Sequence, residues 1–155
     1  MSRRATTSPV RGPTRAAGEE HGAAVVEFAL VVPVLMLLVF AIIDFGRALW
    51  TMNVLTSGVR EGARAASVQA TRTAMDSAAA RHTADYINRV LGAGTVTSGE
   101  IRIYYDSLAT STYGQILVEL RDGYQFRPAT PFAATLGLGD VKFRPKAYFR
   151  WELAD

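Results

Sequence analysis

The chain has 155 residues, 49% apolar and 20% charged, with no cysteine and a net charge of +3. That balance excludes a collagenous or wholly disordered chain, and the lack of thiols excludes a disulfide scaffold, a thiolate zinc site, an iron–sulfur cluster and a cysteine nucleophile. Fifteen of the 17 cations are arginines, but an excess of this size gives no reason to expect a nucleic acid as partner.

Residues 1–22 have almost no apolar content and carry Pro9, Gly12, Pro13 and Gly18. They read as a disordered leader. Ser2-Arg3-Arg4 resembles a twin-arginine signal, but a polar stretch separates it from any apolar run.

From Ala23 to Ile43 the chain reads AAVVEFALVVPVLMLLVFAII, with Glu27 its single charge. An apolar helix of ~20 residues spans the hydrocarbon core of a lipid bilayer. Its Val, Leu, Ile and Phe residues favour insertion by roughly 4–8 kcal/mol, more than the ~3 kcal/mol of a central charge. A buried core helix would have to hide the uninterrupted stretch Phe28 to Ile43 in a small protein. Arg3, Arg4, Arg11 and Arg15 precede the segment, and only Arg47 follows within fifteen residues. The positive-inside rule then keeps the N-terminus cytoplasmic and exports residues 44–155. The run is too long for an ordinary signal peptide, and Asp44-Phe45-Gly46-Arg47 is no small-x-small cleavage site.

The helix should continue past Ile43. Phe45, Leu49, Met52, Leu55 and Val59 recur at helical spacing as one apolar stripe. Asp44–Arg47 and Glu61–Arg64 are i,i+3 pairs expected on the exposed side. Gly58, Gly62 and Ala66 form a small-xxx-small row that lets another helix approach closely. Read as one helix, Ala23 to Ala66 would be a rod of roughly 66 Å, kinked at Pro33, which removes a backbone donor and crowds the preceding turn.

A second helical pattern runs from about Thr73 to Leu91, on Met75, Ala79, Tyr86, Ile87, Val90 and Leu91, and Gly92 and Gly94 stop it. His82 and Asp85 share a face there, but no third ligand or nucleophile accompanies them, so a solvated His is expected. The period then becomes two. Ile101, Ile103 and Tyr105 alternate with polar or outward residues, as do Ile116, Val118 and Leu120, and then Val141, Phe143, Ala147, Phe149 and Trp151. Turn signals fall at Ser107–Gly114, Arg127–Pro131 and Gly137–Asp140. Pro145 demotes the last run to an edge strand or places a bulge in it. Gly137-x-Gly139 lacks the rest of a nucleotide fingerprint. The expected fold is α+β: a long N-terminal membrane-spanning helix continuing into an exported helical stretch, residues 44–91 with the second helix, packed on an antiparallel sheet of three or four strands at about 100–153.

The border of leader and apolar helix reads Gly22-Ala23-Ala24-Val25-Val26-Glu27-Phe28, which resembles the cleavage site of type IV prepilin-like proteins. That resemblance implies a cut by prepilin peptidase between Gly22 and Ala23, with Glu27 becoming the fifth residue of the mature chain. A glycine suits a closely approached, extended backbone, and a carboxylate near the new amine can pair with the amine of a neighbouring subunit within lipid. The same residues also suit a snorkelling Glu beside a linker glycine; their place between an arginine-bearing leader and a long apolar helix favours the cleavage site. More broadly, Gly22 to Ala66 resembles the signature of the TadE-like family, minor pseudopilins of the tight-adherence (Tad or Flp) pilus system. The matching pieces are Glu27-Phe28-Ala29-Leu30, Pro33, Asp44-Phe45-Gly46-Arg47 and Arg60-Glu61-Gly62-Ala63-Arg64-Ala65-Ala66. Ala147-Tyr148-Phe149-Arg150-Trp151-Glu152 resembles that family's last strand.

The resemblance implies a pilin-like structural and assembly protein of the cytoplasmic (inner) membrane, acting in pilus biogenesis and adhesion. Its partners would be prepilin peptidase, TadF-like subunits, the major Flp pilin, the Tad membrane platform and the lipid bilayer. No cofactor, metal or catalytic residue is expected, and no nucleic acid. An exported ligand-binding or sensor domain on an uncleaved anchor would share the anchor and the α+β domain without requiring Gly22 or Glu27. A membrane-tethered enzyme fits less well, because two histidines and no cysteine offer no motif with placed partners.

Overall fold

The computed structural model describes residues 17–107, 113–130 and 141–152. The leader up to residue 16, most of the 107–114 turn, and the Gly137-x-Gly139 pair lie outside the described residues. The chain divides into two compact units, Met1–Val39 and Phe40–Asp155. Helix α1, Ala17–Ser67, belongs to both.

In the first unit the described residues are all helix. α1 starts at Ala17, six residues before the expected Ala23; Ala17, Glu19 and Glu20 are good helix formers and outweigh Gly18 between them. It runs on as helix through Pro33. From Gly22 to Val39 every residue is exposed save the half-buried Val32. Phe28 and Leu30 are about 70% exposed, at 70% and 71%.

In the second unit the rest of α1 packs with α2, Arg72–Leu91. Thr71 caps α2, its side chain accepting from the Ala74 N–H. Gly92 and Gly94 end the helix at φ +118° and +79°, backbone that favours glycine. Asn88 then ties down the chain leaving α2: its amide donates to the Val96 carbonyl at 2.7 Å and accepts from the Val96 N–H at 2.9 Å.

Strands β1 (Ile101–Ser107), β2 (Tyr113–Leu120) and β5 (Lys146–Glu152) form an antiparallel sheet with β2 in the centre. Ile101 pairs with Leu120, and Val118 lies between Ile103 and Ala147. The inward residues of β2, Ile116, Val118 and Leu120, are buried against Leu55 and Val59 of α1 and Met75 and Ile87 of α2 within one core. Each such side chain contributes about 1.5–3 kcal/mol by leaving water. The final apolar run is two strands rather than one. β4 (Lys142–Phe143) pairs with β3 (Tyr124–Gln125), and Arg144-Pro145 separates β4 from β5, since proline has no N–H to give a ladder. β5 is an edge strand of the three-stranded sheet.

Two expectations for α1 change. Leu55 and Val59 of the proposed stripe are fully buried, but Phe45, Leu49 and Met52 are exposed at 66%, 49% and 45%. The covered line instead passes through Asp44, Thr51, Leu55, Gly58, Gly62 and Ala66. Small residues win that face because they let α2 come close. Asp44, expected on the exposed side beside Arg47, is buried.

Candidate assembly site

Gly22, Ala23 and Glu27 lie along one exposed stretch of α1. A Cβ at Gly22 would meet nothing within 4 Å. Ala23 and Glu27 are one turn apart, about 6 Å along the axis. Among the described residues Glu27 has no hydrogen-bond or ion-pair partner, and the apolar side chains around it are uncovered. A lone carboxylate on such a surface is tolerated in lipid only with a partner or at the border with water.

At the other end of the apolar run, Asp44 is held by the connection between β3 and β4. The backbone N–H of Ala129 donates to Oδ1 at 2.8 Å, and the hydroxyl of Thr130 donates to Oδ2. Both oxygens therefore accept, which is the bonding of the ionised form. No residue pattern in the sequence announced these partners, because Ala129 contributes only backbone and Thr130 lies 86 residues away. The neighbours Phe45, Gly46 and Arg47 are exposed, and a Cβ at Gly46 would again meet nothing.

The Arg60–Ala66 stretch serves two faces. Outward, Arg60 is exposed and Arg64 donates to Glu61 through Nε at 3.0 Å and Nη2 at 2.6 Å. Inward, Gly58 and Gly62 meet α2 of the same chain. A Cβ at Gly58 would come within 2.6 Å of Ile87, and one at Gly62 would overlap the Thr83 hydroxyl and lie 2.8 Å from the Ala79 carbonyl. The close approach read from Gly58, Gly62 and Ala66 is thus made by the chain's own second helix. The Thr83 hydroxyl, fully buried there, has no hydrogen-bond partner.

Three further clusters lie elsewhere in the domain. The Tyr105 hydroxyl donates to Asp76 and lies 3.2 Å from the Arg72 carbonyl, with the Arg72 guanidinium 5.4 Å from the ring centre. Burial first, and the bond to Asp76 second, push the Tyr105 phenol well above its ordinary pKa. Across the β2–β5 pair, Glu119 meets Lys146 at 3.0 Å and raises the Lys146 pKa. An open polar cleft is lined by Gly94, Glu100, Asp122, Tyr124 and Arg127, among others. His82 and Asp85 are both exposed, and among the described residues no three ligand-type side chains gather as a metal site would need.

These features define a class: an α+β domain following one helix long and apolar enough to cross a membrane. Within it, the chain carries the TadE-like signature: residues 22–64 match the model of the family described as TadE-like protein. The match begins at Gly22 and ends at Arg64, so it lies within α1 and covers none of the strands. No curated protein and no solved structure matches the chain.

Proposed function

We propose that the chain is a minor pseudopilin-like structural and assembly protein of a Tad pilus or related secretion machinery, anchored in the cytoplasmic membrane by α1 with residues 44–155 exported. Prepilin peptidase cuts between Gly22 and Ala23, and the Glu27 carboxylate pairs with the Ala23 amine of a neighbouring pilin-like subunit. The domain works by assembly, not catalysis, in pilus biogenesis and adhesion. The observation that carries this reading is the family match that opens on Gly22, at the head of an apolar helix that no other part of its unit covers. The uncovered face needs lipid or neighbouring helices, and an uncompensated Glu27 needs a cation.

The test is the mature N-terminus. Chain purified from membranes of cells with an active prepilin peptidase is expected to begin Ala-Ala-Val-Val-Glu, and chain from cells lacking it to retain the leader. A start at Met1 or Ser2 in the first case would refute the cleavage and favour an uncleaved anchor carrying a sensor or ligand-binding domain.

A further inference from the structure

The residues just past the apolar run form a group that the assembly role does not use. The run ends at Ile43, and the next residue, Asp44, is tied to the backbone of Ala129. The β3–β4 connection is therefore fastened at the level where the apolar helix stops. Arg127 is two residues from Ala129, so its Cα is within about 7 Å of it. Arg127 and Arg47 are both exposed. Phe45 and Trp50 are large, apolar and exposed at 66% and 51%.

From this arrangement we infer that Asp44–Trp50 and the 126–130 connection form a collar seated in the phospholipid headgroup layer of the bilayer that α1 enters. The inference rests on the reading of α1 as a membrane anchor. Three observations favour lipid over a protein partner. The first is continuity: exposed apolar side chains carry on past the run at Phe45, Leu49 and Trp50. The second is length. The headgroup layer on each side is about 5–8 Å thick, and Asp44 to Trp50 rises about 9 Å, so the group spans that layer and reaches slightly beyond it. The third is composition. Aromatic rings and arginines are the residues that settle at a membrane interface, the rings at headgroup level and the guanidiniums on phosphates. The Asp44 carboxylate would oppose such a site if it were open to lipid. Instead its two oxygens are held by the Ala129 N–H and the Thr130 hydroxyl, so the carboxylate is turned to the connection rather than presented bare to lipid, while Arg47 and Arg127 are exposed.

The chain has no cysteine, so a single introduced one carries a label uniquely. Ala129→Cys is exposed and keeps the N–H that binds Asp44. Val68→Cys, in the turn after α1, lies about 35 Å along the helix from Asp44. Ile42→Cys reports the anchor itself. Each full-length variant carries a bimane fluorophore in vesicles of phosphatidylcholine and phosphatidylglycerol, with a quencher on the lipid headgroup or the acyl chain. The collar predicts headgroup quenching several-fold stronger at 129 than at 68, with acyl-chain quenching at 42. Quenching at 129 no stronger than at 68, with 42 still quenched by acyl chains, would overturn the collar and leave the anchor standing. An unquenched 42 would overturn the anchor and the collar with it.

Discussion

Asp44 accepts the backbone N–H of Ala129 at 2.8 Å across 85 residues of sequence. With the Thr130 hydroxyl on its second oxygen, this carboxylate fixes a surface connection to the helix at the edge of the apolar run. Hydrogen bonds to a charged group contribute about 1.5–3 kcal/mol each. Asp44→Ala removes both and is therefore expected to lower unfolding stability by about 3 kcal/mol or more. Asp44→Asn, which retains one acceptor, should lose less. Urea titration of the detergent-solubilised chain measures both, and an unchanged midpoint in Asp44→Ala would show that the connection is held by other contacts.

Gly62 and Thr83 give a second measurable pair. Adding a methyl at Gly62 drives it into the Thr83 hydroxyl and the Ala79 carbonyl. Overpacking of this kind costs about 1–3 kcal/mol. In a Thr83→Ala background one of the two obstacles is gone, so the penalty of Gly62→Ala should shrink but not vanish. Equal penalties in both backgrounds, in a double-mutant cycle read by thermal unfolding, would contradict the contact.

Tyr105 predicts how the fold responds to alkali. Burial and the bond to Asp76 raise its pKa above the ordinary 10.0. The folded state thus holds the phenolic proton more tightly than the unfolded state does. That stabilisation is complete below pH 10.0 and is lost as pH climbs past it. Thermal midpoints of the wild-type chain should fall more steeply above about pH 10 than those of Tyr105→Phe, which has no proton to lose. Parallel curves would mean that the Tyr105–Asp76 bond is absent in solution.

Glu27→Gln separates assembly from insertion. Removing the charge keeps the size of the side chain and eases entry into lipid, so membrane insertion and cleavage after Gly22 should persist. If Glu27 pairs with a neighbour's amine as we propose, recovery of pilin-like partners from membranes, and the count of surface pili, should fall because that amine loses its counter-ion. Breaking a buried pair in this way costs about 3–5 kcal/mol. Full piliation in Glu27→Gln together with none in Gly22→Leu would leave Glu27 as an interfacial residue without a pairing role.

Much of this architecture was legible from periodicity. The second helix, expected from about Thr73 to Leu91, runs from Arg72 to Leu91, and the period-two runs at Ile101 and Ile116 are strands. What hydropathy could not rank was the side of α1 that the domain covers. Phe45, Leu49 and Met52 outweigh Ala48, Thr51 and Gly58 on any hydrophobic scale, yet the second set faces inward. A close helix contact selects for small side chains, and the large ones are left for whatever surrounds the molecule. Asp44 was misplaced for a related reason. An aspartate three residues before an arginine looks like a surface pair, and the competing donor, the N–H of Ala129, carries no side-chain signature at all.

The early start of α1 bears on how the leader could be removed. Since helix extends from Ala17, the Gly22–Ala23 bond lies more than a turn inside it, with its carbonyl engaged in the helical ladder rather than presented in extended form. A protease that reads stretched backbone must first uncoil that end. Glycine in a helix interior weakens it by roughly 1 kcal/mol relative to alanine, so Gly22 lowers the barrier to fraying at the bond where we propose the cut. Replacing it by alanine would stiffen the substrate as well as alter the residue read, and part of any slowed processing would come from the helix rather than from recognition.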